Sequence, residues 1–226
     1  MVNLEFINKE KIAKDVYSFT FNYPSNFEWI AGQFIQITIP HDNADNRGIK
    51  RYFSIASAPN EKKIILATRI DLENSSSFKK ALYNLAPKTI IESSLAKGQF
   101  IIQKKDKKII FIAGGIGITP VRSIIMDLKY KNELDNIDLL YSNKDSDIPF
   151  QNEIENLKAK NPSFNIYYFI NPNMINEGSL NKIYEKFPDS YIYISGPPAM
   201  VSGISEIIIS KGINKINIKT DYFPGY

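Results

Sequence analysis

Two rhythms of apolar and polar positions divide the chain. Up to about residue 103, short runs rich in aromatic and β-branched residues are separated by turn signals. Val16 to Asn22 stops at Tyr23-Pro24, and Gln33 to Ile39 sets Ile35, Ile37 and Ile39 against Gln36 and Thr38. Arg51 to Ser57 and Lys63 to Arg69 follow in the same manner. This spacing predicts an antiparallel β-barrel. One helix interrupts it, where Ser76 or Ser77 can cap a segment carrying Phe78, Ala81, Leu82 and Leu85 before Pro87 ends the pattern.

From about Lys108 the rhythm changes to strands alternating with helices. Ile109 to Ala113 is a continuous apolar run of the kind buried on both faces of a parallel sheet, and Val121, Ile124, Ile125 and Leu128 form a helical stripe behind it. Further strands fit Ile137 to Ser142, Phe164 to Ile170, Tyr191 to Ser195 and Ile216 to Lys219. Helices fit Phe150 to Lys158, Leu180 to Phe187 and Pro198 to Lys211. The expectation is a doubly wound α/β domain with a parallel sheet over residues 104–226, behind a barrel over residues 1–103. The lysine-rich stretch Gln103 to Lys108 reads as the linker.

Composition changes this picture mainly by what it excludes. With 43% hydrophobic and 23% charged residues the chain is an ordinary globular one. A net charge of +4 with scattered lysines argues against nucleic acid as a partner, while leaving room for phosphate-bearing ligands or an acidic electron-transfer protein. The absence of cysteine removes disulfides, thiolate nucleophiles and cysteine-ligated iron-sulfur clusters. His41, the single histidine, sits in the polar loop Pro40-His41-Asp42-Asn43, so histidine-based metal sites and serine-histidine catalysis are excluded too. Any redox chemistry must come from a borrowed cofactor. The start of the chain shows no basic segment followed by an apolar one, and no apolar run approaches the ~18 residues that cross a bilayer. A cytoplasmic protein without a membrane span is the expectation.

Three stretches carry candidate chemistry. Ala113-Gly114-Gly115-Ile116-Gly117-Ile118-Thr119-Pro120 follows a predicted strand and opens a helix. Glycines let the backbone approach a diphosphate, Thr119 suits a cap, Pro120 suits the first helical turn, and a helix start offers N–H groups to an anion. The Gly-Lys-Ser/Thr ending of a P-loop is missing. The second stretch, Ser195-Gly196-Pro197-Pro198-Ala199-Met200, also follows a strand, and in open α/β sheets both turns lie on the ligand-binding edge. In the barrel half, Arg51-Tyr52-Phe53-Ser54 places an arginine fork for phosphate and an aromatic for a planar ring on one strand, with Arg51 and Phe53 on one face and Tyr52 and Ser54 on the other.

Taken with Gly32-Gln33-Phe34 and with Asp221-Tyr222-Phe223, these motifs resemble, in order and spacing, the ferredoxin-NADP reductase family. The resemblance spans nearly the whole chain. It implies an FAD-binding barrel followed by a nicotinamide-binding domain, the two rings meeting in the cleft. Arg51 would then grip the FAD pyrophosphate, and Ser76, Ser77, Phe78 and Lys79 resemble the second phosphate contact. Tyr52 and Phe53 would flank the flavin, Ser54 would lie near its reactive nitrogen, and Ala67, Thr68 and Arg69 join them as cofactor contacts. Gly114, Gly115, Gly117, Thr119 and Pro120, with Gly196, Pro197 and Met200, would meet the nicotinamide nucleotide.

The departures from the family pattern are Phe53 for its second tyrosine, Ser195 for its cysteine and Asp221 for its terminal glutamate; Ser54, Ser195 and Asp221 are the candidate catalytic residues. Phe223 matches the aromatic that covers one flavin face, and Tyr226 extends beyond it to the same end. After the second strand of the α/β half, Ser142 and Lys144 favour a 2′-phosphate while Asp145 favours a free ribose, so NADH and NADPH both remain open.

What this implies is a flavoprotein reductase that passes a hydride between NADH or NADPH and bound FAD, then delivers electrons to a separate acceptor. A ferredoxin, a haem protein and free flavin are all open as that acceptor. Two other classes stay open: a non-catalytic FAD-binding regulatory subunit, and a nucleotide-binding module without flavin. The choice of FAD over FMN comes from the resemblance alone, and the oligomeric state is not encoded in any motif.

Overall fold

A computed structural model describes residues 1–181 and 190–223. Its first sheet contains six strands: β1 (Val2–Ala13), β2 (Val16–Asn22), β3 (Phe34–Thr38), β4 (Lys50–Ser54), β5 (Ile64–Arg69) and β6 (Ile90–Ser93). They run in the order β4-β3-β6-β1-β2-β5, and every pairing is antiparallel. Just past β4, Ala56 N–H donates to Ile65 O on β5 at 2.7 Å, so the two outer strands meet and the sheet curls into a barrel. Alternation does the rest. Leu4 and Phe6, Phe19 and Phe21, Ile35 and Ile37, and Leu66 point into one core, which the short helix α1 (Ser77–Tyr83) plugs with Phe78 and Leu82.

Two of these strands, β1 and β6, are not predicted by the sequence pattern. β1 turns polar over Asn8 to Lys11, where it projects from the core as one arm of a hairpin with β2. β6 is only four residues long, too short for a period to register.

The second sheet is parallel throughout. Its strands are β7 (Lys108–Gly114), β8 (Ile137–Asn143), β9 (Phe164–Ile170), β10 (Ser190–Gly196) and β11 (Ile218–Tyr222), in the order β11-β10-β7-β8-β9. Helices α2 (Ile118–Tyr130), α3 (Gln151–Lys160), α4 (Glu177–Asn181) and α5 (Pro198–Ser210) lie between them. Successive residues of β7 serve opposite faces: Ile109, Phe111 and Ala113 pack with α2 and α3, while Ile110 and Ile112 pack with Val201, Ile204 and Ile208 of α5. That is why the run reads as continuously apolar.

Three expectations need adjustment. The last strand begins at Ile218 after a single 3-10 turn, Lys215–Asn217, rather than at Ile216. The strand expected over Arg51 to Ser57 ends at Ser54, because Ser57 turns its hydroxyl to Lys63 O (2.6 Å) and accepts Ile65 N–H (3.0 Å) at the barrel seam. Of the helix expected over Leu180 to Phe187, residues 182–189 lie outside the described residues, and the described part is the end of α4.

Candidate functional site

In the parallel sheet the chain leaves β7 toward β8 on one side, whereas β10 lies on the other. A crevice opens at such a switch point, beyond the carboxyl ends of the strands. Both glycine turns sit there, Gly114-Gly115 after β7 and Gly196-Pro197 after β10. A cavity of about 910 Å³ fills the space between this edge and the barrel, lined by Gly114, Gly115, Ile116 and Pro197 on the sheet side and by Arg51 to Ser54 on the barrel side.

The glycines divide the work. Gly115 holds φ +52°, and open space lies where its Cβ would be, so its backbone faces the cavity bare. Gly117 is buried, and a Cβ there would meet Ser195 O at 2.4 Å: it lets α2 press against the end of β10. The Tyr141 hydroxyl, buried beneath the turn, lies 3.2 Å from Gly115 O and the same distance from Pro149 O. Burial raises its pKa, keeping it a donor.

Thr119 is not the helix cap. α2 starts two residues earlier than such a cap would set it, at Ile118 with Gly117 as the cap position, and the buried Thr119 hydroxyl donates back to Ile116 O at 3.0 Å. A single 3-10 turn over Gly115–Gly117 draws the helix start forward and leaves Pro120 inside the first turn, where a missing N–H costs nothing.

On the barrel side the site is electropositive. Arg47, Arg51, Arg69 and Lys79 all line the cavity. The Lys79 ammonium is pushed below its ordinary pKa by burial first and then by the charges of those three arginines. Ser76 caps α1, accepting Lys79 N–H at 3.3 Å. Arg51 is almost wholly buried: its Nη1 lies 2.8 Å from Arg47 O, 3.0 Å from Gly48 O and 2.6 Å from Lys50 O, and the guanidinium rests over the Phe78 ring. Asp45 joins this group. Its carboxylate accepts Ser77 N–H (3.1 Å) and pairs with Arg47 (2.9 Å), which holds it well below the usual carboxylate range.

Aromatics frame the middle of the cavity. Tyr52 is half-exposed and meets Phe34 edge-on, while Phe53 points inward and stacks on Phe78. Ala67 and Thr68 are lining residues too. Ser54 Oγ donates to Asp221 Oδ2 at 3.0 Å, joining barrel to parallel sheet at the cavity wall. Burial raises the Asp221 pKa, outweighing the hydrogen bonds from Ser54 and Tyr222 N–H. Phe223 also faces the cavity, its N–H tied to Gly196 O at 2.9 Å.

Several residues singled out by the sequence stand back from the cavity. Ser195 is fully buried and its hydroxyl has no hydrogen-bond partner among the described residues. Ser142 is buried with its hydroxyl 3.6 Å from the Met174 sulfur, and Met200 packs on Gly114. Ser77 is occupied with Asp45, whose N–H donates to its hydroxyl at 2.9 Å. Phe78 serves the barrel core, and Lys144 is exposed beyond β8. Tyr226 lies outside the described residues. Arg47, Lys97, Gln36 and Asn74 line the cavity without having been expected there. Only Arg47 carried a signal, as a cation in the polar loop just ahead of Arg51. Among the described residues no acid or histidine cluster could hold a metal, and no helix is long and apolar enough to cross a membrane.

The comparisons with known proteins agree with this arrangement. Residues 111–206 match the family described as the oxidoreductase NAD-binding domain. The chain is 28% identical over 203 residues to a component of the Na(+)-translocating NADH-quinone reductase of Methylococcus capsulatus, covering 77% of this chain and 49% of that one. It superposes on the flavohem-like FAD/NAD-binding domain of nitric oxide dioxygenase from Vibrio cholerae with a TM-score of 0.84 at 17% identity, covering 98% of each chain. Against ferredoxin-NADP+ reductase from Plasmodium falciparum with 2′P-AMP the TM-score is 0.81 at 22% identity, over 98% of this chain and 95% of that one. The chain spans about half the length of the curated relatives it matches. Residues 111–206, which carry most of the second sheet, are thus similar to the oxidoreductase NAD-binding domain, and the whole has the two-domain fold of ferredoxin-NADP reductase-like proteins.

Proposed function

We propose that this chain is an NAD(P)H-dependent flavoprotein reductase: it holds FAD against the barrel, receives NADH or NADPH at the glycine edge, and passes electrons to a separate acceptor. The observation that carries this reading is one cavity walled by both the Arg51–Ser54 strand and the two glycine turns. Its barrel wall suits a diphosphate, because four cations converge where Lys79 is loosened by its neighbours. Bound there, FAD supplies the hydride-accepting ring and the means to release electrons singly. The domain boundary near residue 103 follows from the same reading.

The chain's own residues bind, orient and shield. Arg51, Arg69 and Lys79 neutralise phosphate, and the Ser76 cap fixes the turn that presents Lys79. Tyr52 faces a flat ring from the barrel, Phe53 backs the cavity wall from the core, and Phe223 closes the opposite side. Gly115 offers bare backbone to the second nucleotide. Near the rings, the Ser54 hydroxyl is aimed by Asp221, whose raised pKa suits it to hold a proton at its carboxyl. Orientation of two rings in one cavity is worth roughly seven kcal/mol or more of barrier when the fit is good.

A single anaerobic titration tests this. The purified protein with FAD should show a flavin spectrum that bleaches on adding NADH or NADPH, and the faster of the two names the donor. A yellow protein unreduced by either would make it a non-catalytic binding protein. A colourless protein indifferent to added FAD would remove the flavin altogether.

A further inference from the structure

Arg122 interrupts the apolar stripe of α2 and is only 5% exposed. A guanidinium carries five N–H donors in a planar fork, and here the fork is fully used. Nε and Nη2 donate to Oε2 and Oε1 of Glu153 at 2.6 and 2.7 Å. Nη1 and Nη2 donate to Oε2 and Oε1 of Glu61 at 3.0 and 2.9 Å, and Nη1 also reaches Ala56 O at 2.7 Å. The Phe150 ring lies 5.1 Å from the guanidinium carbon. Glu153 belongs to α3, in the same domain as Arg122, but Ala56 and Glu61 belong to the barrel segment that continues from β4.

Stability alone does not require two carboxylates on one buried cation. One carboxylate already neutralises the charge, and drawing a second one in from water carries its own desolvation cost. What the second adds is direction. The two edges of one rigid plane are pinned to two domains, which a lysine's point charge cannot do. The next residue repeats the tie, with Ser123 Oγ donating to Ser57 O at 2.6 Å.

The placement gives these ties leverage on the cavity. Arg122 lies seven residues past Gly115, about 10 Å along a helix, and Glu61 lies seven past Ser54. The clamp therefore joins the element that carries the glycine turn to the segment that carries the flavin-facing strand. We propose that Arg122 is a positioning residue for ring-to-ring transfer, setting the separation of the two rings by locking α2 to the barrel through Glu61 and Ala56; this rests on the reductase reading above.

The test uses the full chain loaded with FAD, in a rapid-mixing measurement of flavin reduction at saturating nicotinamide. Arg122→Lys keeps the charge and loses the fork. The limiting rate should fall about tenfold, since an ångström of misplacement can cost up to a hundredfold, while FAD content and the nicotinamide KM stay within about twofold. Glu61→Gln, which loosens the barrel side, should slow the step in the same way, and Glu153→Gln, which loosens only the tie within one domain, should slow it less. If Arg122→Lys does not fold, the two glutamine variants carry the comparison. Unchanged limiting rates in Arg122→Lys and Glu61→Gln would overturn the assignment. So would a loss in Glu153→Gln equal to that in Glu61→Gln, because that pattern reports stability alone. A wild-type flavin that neither nicotinamide reduces would instead bring down the reductase reading, and the positioning role with it.

Discussion

The two lips of the cavity grip in different ways. The barrel lip presents long cationic side chains, Arg47, Arg51, Arg69 and Lys79, around a capped helix start. The sheet lip presents backbone and small residues, Gly114, Gly115, Ile116 and Pro197, and among the described residues no charged side chain reaches the cavity from it apart from Asp221. Charge-assisted bonds to phosphate are strong and slow to break, whereas bare backbone permits close but reversible approach. The difference suits a ligand that stays on the barrel and one that comes and goes at the sheet.

The largest expected effect strikes the barrel lip. Arg51→Ala should weaken FAD binding by roughly ten- to a hundredfold, the worth of one charged hydrogen bond at about 1.5–3 kcal/mol. Fluorescence titration of the stripped protein with FAD measures it. Unaltered affinity would mean that the remaining cations suffice without Arg51.

A contrast within the sheet lip comes next. Gly117→Ala forces a Cβ onto the Ser195 carbonyl and should cost about 1–3 kcal/mol of stability, seen as a lower midpoint in urea. Gly115→Ala meets no atom and faces only the strain of its left-handed backbone, about 1 kcal/mol. Its effect should appear in the nicotinamide KM more than in the midpoint. Equal loss of stability in both would erase the distinction drawn between a packing glycine and a ligand-facing one.

The smallest effect is at the seam. Because burial raises the Asp221 pKa in the folded protein, the native state binds more protons than the unfolded one between the unfolded value, near 4, and the raised value. Stability contributed by this group is therefore present at low pH and falls as pH rises through that window. Asp221→Asn should be relatively more stable above the window than below it. Melting temperatures of the two proteins across pH 4 to 8 give the answer, and parallel curves would remove the carboxyl from the pH response.

Much of the fold was legible because local pattern and tertiary role coincide. The β7 run is apolar at every position since both faces are covered, and the glycine turns announce themselves because each ends a strand. What escaped was set by partners distant in sequence. β6 owes its strand state to pairing with β1, across nearly ninety residues, and with β3, and the polar stretch of β1 is held by its hairpin with β2 rather than by its own composition. Arg122 carried no signal in the sequence, since its acceptors lie 31 and 61 positions away. The cap assigned to Thr119 failed for a local reason: the extra 3-10 turn shifts the helix start forward, and single-residue boundaries are where pattern is weakest.

The loosened proton on Lys79 also bears on how the polypeptide reaches its final shape. Gathering these cations in one recess opposes compaction, and Asp45 offsets only part of their charge. A diphosphate reverses the sign of that contribution, so the nucleotide would act as a late component of folding as well as a reagent, and ligand-loaded protein should resist protease longer than the same polypeptide alone.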